Sequence, residues 1–363
     1  MALTRIWRLL LCLGTLQATL GQSNVACRND RGEEVDWYIL YKLPKSKGDG
    51  LNYLYMDERT QGWRESVEKI NSPKGSMANT LTPLFDYYKK KTEGFGFMLY
   101  NDQPPKGLKP APASFGHAKG VVMLNKTSGV WLAHSTPQFP SYQSEMFWPS
   151  SGTNNAQTFF CVTYAYSEFK KIGVHLKYIH AFPFDSVFPT YFYDELKCVA
   201  QRSCYPKAKP WFKVTELISL KGHHFKSFAK YTRFNDDLYA GLIVNFTKQN
   251  IYVKSWGSMR QPLPSNCTQI IPHFVYNIKE VNPHRKGSFP DTVDHSKWCV
   301  TATGDFTCVA DMNREVSQMG RGGGAVCTDD TNVGEAFLTA VYKTQPCDDP
   351  QLPAENGEHN DKK

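Results

Sequence analysis

Apolar positions recur along this chain in short runs divided by turn-forming residues, a pattern that predicts many strands and few long helices. Val35-Asp-Trp-Tyr-Ile-Leu-Tyr41 alternates with a period near two and stops at Lys42-Leu-Pro44, a strand leaving into a loop. Phe95 to Tyr100 is a second apolar strand, closed by the breaker cluster Asn101-Asp102-Gln103-Pro104-Pro105. Two more follow, Lys119 to Leu124 and Gly129 to Ser135, joined by Asn125-Lys-Thr-Ser. Helical spacing is predicted over Thr82 to Lys91, Ser167 to Lys171, Lys226 to Tyr231 and Asp236 to Val244, with strands again near Ile251 to Trp256 and Lys297 to Thr301. His223-His224 reads as a solvated loop, because adjacent strand residues point to opposite faces.

One similarity inside the chain outweighs the single elements. Gly116-His117-Ala118-Lys119 opens a strand, and after a short turn the next strand ends at His134-Ser135. Asp294-His295-Ser296-Lys297 opens another, Thr303-Gly304-Asp305 makes the turn, and Phe306 to Ala310 leads to Asp311-Met312-Asn313. The two His are 178 residues apart, about half of the 363-residue chain, as a duplicated unit would place them. The expected fold is therefore α/β, with two similar halves, central sheets flanked by helices, and a site at their interface. The halves run over 22–200 and 201–347.

The ends carry other signals. Arg5 and Arg8 precede the apolar Leu9 to Leu13, and Thr19 and Gly21 supply small residues near a cleavage point, so residues 1–21 read as a secretion signal. No apolar run reaches the roughly 18–20 residues of a spanning helix, the nearest, Leu9 to Leu20, being short and broken by Gly14, Thr15 and Gln17, and no membrane role is expected. Residues 348–363 are polar and predicted to be disordered. Sequons at Asn125, Asn245 and Asn266 agree with a secretory route.

Composition adds two constraints. With 41% hydrophobic residues, 22 Phe, 19 Tyr and 8 Trp, the chain can bury a core and is neither fibrous nor of low complexity. Net charge falls from +8 to +6 once Arg5 and Arg8 leave, but all ten His remain, so an acidic compartment makes the protein strongly cationic and suited to a phosphate-rich polymer. Nine Cys remain after Cys12 departs, an odd number that leaves at least one thiol free or bridged to another molecule. Cys198 and Cys204 are spaced for a local bridge, and no C-x-x-C pair suggests zinc.

In a strand, residues i and i+2 share a face, so His117 with Lys119, and His295 with Lys297, project together. Two such strands meeting across a pseudo-twofold axis gather two imidazoles and two ammonium groups. Such a pocket cleaves a phosphodiester without a metal or other cofactor: the Lys pair neutralises the non-bridging oxygens, one His attacks phosphorus, and the other protonates the leaving oxygen.

The chain resembles the deoxyribonuclease II family of acid endonucleases, within the phospholipase D-like superfamily. The resemblance rests on Val35-Asp36-Trp37, Tyr41-Lys42-Leu43-Pro44, Leu99-Tyr100-Asn101-Asp102, Gly116-His117-Ala118-Lys119-Gly120, Trp131-Leu132-Ala133-His134-Ser135, Asp294-His295-Ser296-Lys297-Trp298-Cys299 and Asp311-Met312-Asn313-Arg314, in order between residues 27 and 347. The superfamily pattern His-x-Lys-x4-Asp meets Leu124 and Ala302 here, which argues against a lipase. The resemblance implies a phospholipase D-like pseudo-dimer acting as a monomer on double-stranded DNA, lysosomal or secreted. It implies 3′-phosphate and 5′-hydroxyl products through a phosphohistidine and, because Lys contacts only phosphate, little sequence preference. His117 is taken as nucleophile and His295 as general acid, roles that could be exchanged, with Lys119 and Lys297 on phosphate and His134 and Asn313 in support. Implied bridges join Cys27 to Cys161, Cys267 to Cys347 and Cys308 to Cys327, leaving Cys299 reduced. The competing class is a non-catalytic nucleic-acid-binding protein or toxin on the same scaffold.

Overall fold

A computed structural model describes residues 24–141, 146–267, 272–285 and 287–347. The expected secretion signal at 1–21 and polar tail at 348–363 lie outside these residues. Two large sheets dominate. The first holds eight strands in the order Pro183–Val187, Gly96–Asn101, Lys119–Leu124, Ser128–His134, Gln157–Ala165, Trp37–Lys42, Tyr53–Asp57 and Arg64–Glu65, every neighbour antiparallel. The second runs Phe212–Ile218, His224–Lys230, Gly323–Thr328, Thr307–Ala310, Trp298–Thr301, Ile251–Lys254, Val275–Val281 and Phe289–Pro290, with Val341–Thr344 also paired to Val275–Val281. Its one parallel pairing joins Ile251–Lys254 to Val275–Val281. The class is mixed α/β, with helices few and the sheets almost wholly antiparallel.

Both faces of the central strands are buried, which is why their sequences read as nearly unbroken apolar runs. Alternate residues of Trp37–Lys42 part to opposite sides. Tyr38 and Leu40 pack with Met77, Leu81 and Leu84 of the helix Ser76–Lys89. Ile39 and Tyr41 enter a core shared with the second sheet through Phe225, Trp298, Val309 and Val326. Phe160 meets Phe225 directly across this seam, ring centres 5.7 Å apart. The helices Glu168–Tyr178 and Thr331–Leu338 add Phe169, Leu176, Val333 and Phe337 to the same core. The far face of the second sheet is covered by Leu238, Tyr239, Leu242 and Ile243.

The helix expected over 226–231 is instead the strand His224–Lys230, paired on both edges. Phe225 and Ala229 face the shared core while Phe228 faces the outer cluster. A run this short fits either period, and its partners, about 10 and 100 residues away in sequence, decide it. His223 and His224 are likewise not a free loop: His223 Nδ1 lies 2.5 Å from the buried Asp36 carboxylate, and His224 opens the strand beside Glu216. The expected helix at Thr82 to Lys91 begins earlier, at Ser76, and carries Pro83 inside it.

Disulfides pair Cys27 with Cys161, Cys198 with Cys204, Cys267 with Cys347 and Cys308 with Cys327. Cys299 is buried and free. It sits opposite Cys308, which in turn sits opposite Cys327, so three adjacent strands carry Cys in register and the middle one has chosen the outer partner. Asn125 is buried in its turn, its carboxamide oxygen accepting the N–H groups of Thr127 and Ser128, whereas Asn245 is exposed and Asn266 half-buried.

Cys27→Ser should lower the unfolding free energy by about 2–5 kcal/mol, because the bridge closes a long loop. Cys299→Ala should cost only about 1 kcal/mol, the typical loss for a single substitution. Urea titration of the two variants beside the parent checks the ranking, and equal midpoints for both variants would refute it.

Candidate active site

The strand that carries Lys119 starts at that residue, so His117 lies just ahead of the sheet, in a segment pinned by the other sheet. The His117 N–H donates to the Gly322 carbonyl at 2.8 Å, and the Gly116 N–H donates to the His180 carbonyl at 2.8 Å. A Cβ on Gly116 would strike the Ile179 carbonyl, so only glycine fits this approach. His117 Nδ1 lies 2.7 Å from the backbone carbonyl of Asp311. A carbonyl only accepts, so Nδ1 carries the hydrogen and the neutral ring keeps its lone pair on Nε2.

His295 is held in the reciprocal way. Its N–H donates to the Ala156 carbonyl of the first sheet at 2.9 Å, and the Asn155 carboxamide donates to its Nε2 at 3.1 Å. The edge of its ring meets Trp256, centres 4.4 Å apart. The preceding residue, Asp294, is fully buried and accepts from Tyr41 Oη at 2.6 Å and from the Ser296 N–H at 2.9 Å, with Lys254 Nζ 3.4 Å away. Here too the strand begins after the motif, at Trp298, so the alternation of a regular strand does not by itself aim His295 and Lys297.

The two Lys differ. Lys119 is buried and ion-paired with Asp102, whose other oxygen lies 3.4 Å from Arg321. Burial pushes the Asp102 carboxyl up, but Lys119, His117 and Arg321 outweigh it and hold it well below the usual carboxylate range. Lys297, 5% exposed, has no ion-pair or hydrogen-bond partner for its ammonium among the described residues. Burial, then Lys119 and Lys254, lower its pKa to about 7. Lys42, donating to the Thr153 carbonyl at 2.8 Å, is also lowered to about 7, chiefly by burial.

Both imidazoles are pushed down together. Burial first, then nearby Lys charge, takes His117 to about 3, with Asp102 opposing, and His295 to about 2. Burial and an excess of ammonium groups over carboxylates act in the same direction on both rings, so the two are lowered together. Asp311 moves the other way, to about 7, because burial outweighs its bond from the Gly324 N–H and the attraction of Lys119 and Lys297.

Charges on Lys119 and Lys297 act on His117, His295 and His134 alike, so the paired His-x-Lys residues and His134 gather in one place. His134 Nδ1 accepts the Thr136 N–H at 3.2 Å, which puts its proton on Nε2, a buried donor with no partner among the described residues. Asn313 acts at one remove. Its Oδ1 accepts the backbone N–H of Trp256 at 3.1 Å and so ties down the residue whose indole packs on His295, the indole N–H itself donating to the Thr292 carbonyl at 3.2 Å. Gly322-Gly323-Gly324 is closely packed here: the Gly322 carbonyl accepts the His117 N–H, and a Cβ on Gly323 would strike Met312. Among the described residues no three or more His, Cys, Asp or Glu side chains are grouped to hold a metal.

Asp102, Lys42 and Asp294 stood within quoted motifs without a role, and Asn155, Lys254 and Trp256 carried no site signal. Asp102→Ala should leave the Lys119 ammonium buried and unpaired, and cost about 3–5 kcal/mol of stability. Chemical denaturation at pH 5 and pH 7 checks this, and a loss below about 1 kcal/mol at both would show that the pair is solvated.

Comparison with known proteins agrees with this geometry. The family model for deoxyribonuclease II matches residues 26–347. Human deoxyribonuclease-2-beta is 35% identical over 349 residues, covering 93% of this chain and 96% of the relative. Rat deoxyribonuclease-2-alpha is 37% identical over 336 residues, 89% of this chain and 95% of the relative. Plancitoxin-1 of Acanthaster planci is 34% identical over 336 residues, 89% and 92% respectively. Matched by the family model from the first described disulfide to the last, and by relatives 34–37% identical over about nine-tenths of its length, the chain belongs to the deoxyribonuclease II family.

Proposed function

We propose that this protein is an endonuclease that hydrolyses DNA in acid without a metal, leaving 3′-phosphate and 5′-hydroxyl ends. The observation that carries the reading is His117: its Nδ1 hydrogen is fixed on a backbone carbonyl, which leaves the Nε2 lone pair free on a ring that feels the charges of Lys119 and Lys297. A phosphodiester in the pocket supplies the anion that Lys297 lacks, and its charge raises both imidazoles. Nε2 of His117 attacks phosphorus, the bond to the 5′ oxygen breaks, and that oxygen takes a proton from protonated His295. Water then attacks the phosphohistidine, giving its proton to His295, and releases His117 and the 3′-phosphate. Lys119 and Lys297 meet the charge that grows on the non-bridging oxygens.

The order of strands supports a duplicated unit with halves 22–200 and 201–347. Gly96–Asn101, Lys119–Leu124, Ser128–His134, Gln157–Ala165 and Trp37–Lys42 lie side by side in the first sheet. Ile251–Lys254, Trp298–Thr301, Thr307–Ala310, Gly323–Thr328 and His224–Lys230 follow the same sequence in the second. Each set places its His-x-Lys before the second strand. Four disulfides favour delivery through the secretory route to a lysosome or the exterior, and among the described residues no helix is long and apolar enough to cross a membrane. A relative whose name is that of a toxin gives a second reading, deployment of the same scaffold as a secreted toxin; a purely binding version would nick nothing.

Nicking of a supercoiled plasmid at pH 5 should persist in EDTA. Loss that magnesium restores would overturn metal independence, and no nicking under any condition would favour the binding reading. The acid dependence has a definite sign: a Lys lowered to about 7 is charged below that pH and loses its proton above it, so phosphate binding weakens as pH rises through 7. Lys297→Arg, which stays charged, should extend the alkaline limb of the rate profile by about one pH unit or more, whereas Lys297→Met should cut kcat by at least about 100-fold, the scale of one lost charge-stabilising donor. An unchanged limb in Lys297→Arg would remove Lys297 as the titrating group.

A further inference from the structure

Beside the His117 segment lies a run of aromatic rings that the hydrolytic chemistry does not use. Phe115, two residues and so about 7 Å of extended backbone ahead of His117, stacks on His180 with ring centres 4.2 Å apart and planes 19° apart. His180 leads on to Tyr205 and Tyr231, at 5.8 and 5.9 Å, and those two rings are parallel to within 7° at 6.1 Å. Trp211 continues the series 6.0 Å from Tyr231, with the Arg233 guanidinium 5.1 Å over its ring.

The run is built and held. His180 adopts a left-handed backbone, φ 51°, uncommon for a side chain of its kind, and is fixed by Nδ1 donating to the Ser114 carbonyl at 2.8 Å. Tyr205 follows Cys204, whose bridge to Cys198 fixes the loop, yet Tyr205 is 43% exposed. Lys207, Lys209 and Arg233 around it are exposed. Arg321 ties the run to the reaction centre, donating to the carbonyls of Phe115 and Gly116 at 3.1 Å each and reaching the Asp102 carboxylate that holds Lys119. A core cluster of aromatics would be closed and uncharged at its edge. This one is open at Tyr205 and fringed with cations, the combination that binds an anionic strand carrying planar bases.

We propose that Tyr205 and its neighbours form a stacking subsite for an unpaired nucleobase, one or two nucleotides from the phosphate at His117. The subsite takes a base from a frayed, nicked or single-stranded segment of DNA and holds the strand while its backbone crosses the pocket. This inference rests on the nuclease reading for the placement of the phosphate, but not for the stacking itself. It accounts for a bridge, Cys198 to Cys204, that closes a loop far from the expected family bridges, since that loop presents Tyr205.

The test is equilibrium binding by the His295→Ala protein of a fluorescein-labelled single-stranded oligodeoxynucleotide and of an abasic strand of equal length. The base-bearing strand should bind about 5- to 100-fold more tightly, the range reported for stacking of one base on an aromatic side chain. Tyr205→Ala in the same background should erase most of that ratio while leaving abasic affinity in place, and Tyr205→Phe should restore it. Equal affinity for the two strands, as expected if the rings take a carbohydrate or a peptide, overturns the proposal. So does a Tyr205→Ala variant that weakens both strands alike. Should Tyr205→Ala fold poorly, Trp211→Leu gives the same readout from the other end of the run. Failure of the nuclease reading is distinct, showing as intact plasmid with the parent protein whatever the oligonucleotide ratio.

Discussion

Four lysine ammonium groups, Lys42, Lys119, Lys254 and Lys297, are buried at the seam between the two sheets, with Asp102 and Asp294 as their paired carboxylates. Taking a charge out of water costs several kcal/mol even after relaxation, so this excess of positive charge is the constraint around which the rest of the molecule is arranged. Lys42 and Lys254 lean on backbone carbonyls, Lys119 on Asp102, and Lys297 on nothing among the described residues. Burial first, and then the same lysine charge, lowers the pKa of three imidazoles nearby. On the proposed function, the monoanionic phosphodiester offsets this positive charge, and ammonium groups held in place in advance spend little on rearrangement as charge builds.

A centre so unfavourable when empty needs a stiff frame. The first sheet is packed on both faces, and the second is backed by its own apolar layer. Across the seam the hydrogen bonds are reciprocal. His117, attached to the first sheet, is oriented by Asp311 and Gly322 of the second, and His295, attached to the second, is oriented by Ala156 and Asn155 of the first. Tyr41 of the first sheet reaches Asp294 beside His295 in the same sense. Neither imidazole has its working orientation from local structure alone.

That reciprocity also marks how far the sequence could be read. The two His-x-Lys copies and their hairpins were legible because strand pairing between neighbours and a repeated motif are local signals. The fate of 226–231 was not, since Phe225, Phe228 and Ala229 fit either period and only pairing to Gly323–Thr328 selects the strand. Asp102 and Asp294 were visible as motif residues but not as partners. The bond from Tyr41 to Asp294 spans 253 residues, and that from His117 to Asp311 spans 194, distances over which no spacing rule operates. The environment of His295 was hidden for a related reason: besides burial it depends on Lys42 and Lys254, which only the fold brings near.

The same long spans have a consequence for how the chain comes into being. Contacts so distant in sequence carry a high loop-closure cost and make assembly of the whole non-local and slow. Until the sheets dock, His117 lacks its carbonyl and His295 its carboxamide, and the Lys groups remain hydrated and fully charged without a shaped pocket. A nascent or partly folded chain therefore carries both His-x-Lys segments without the cross-sheet bonds that orient their imidazoles.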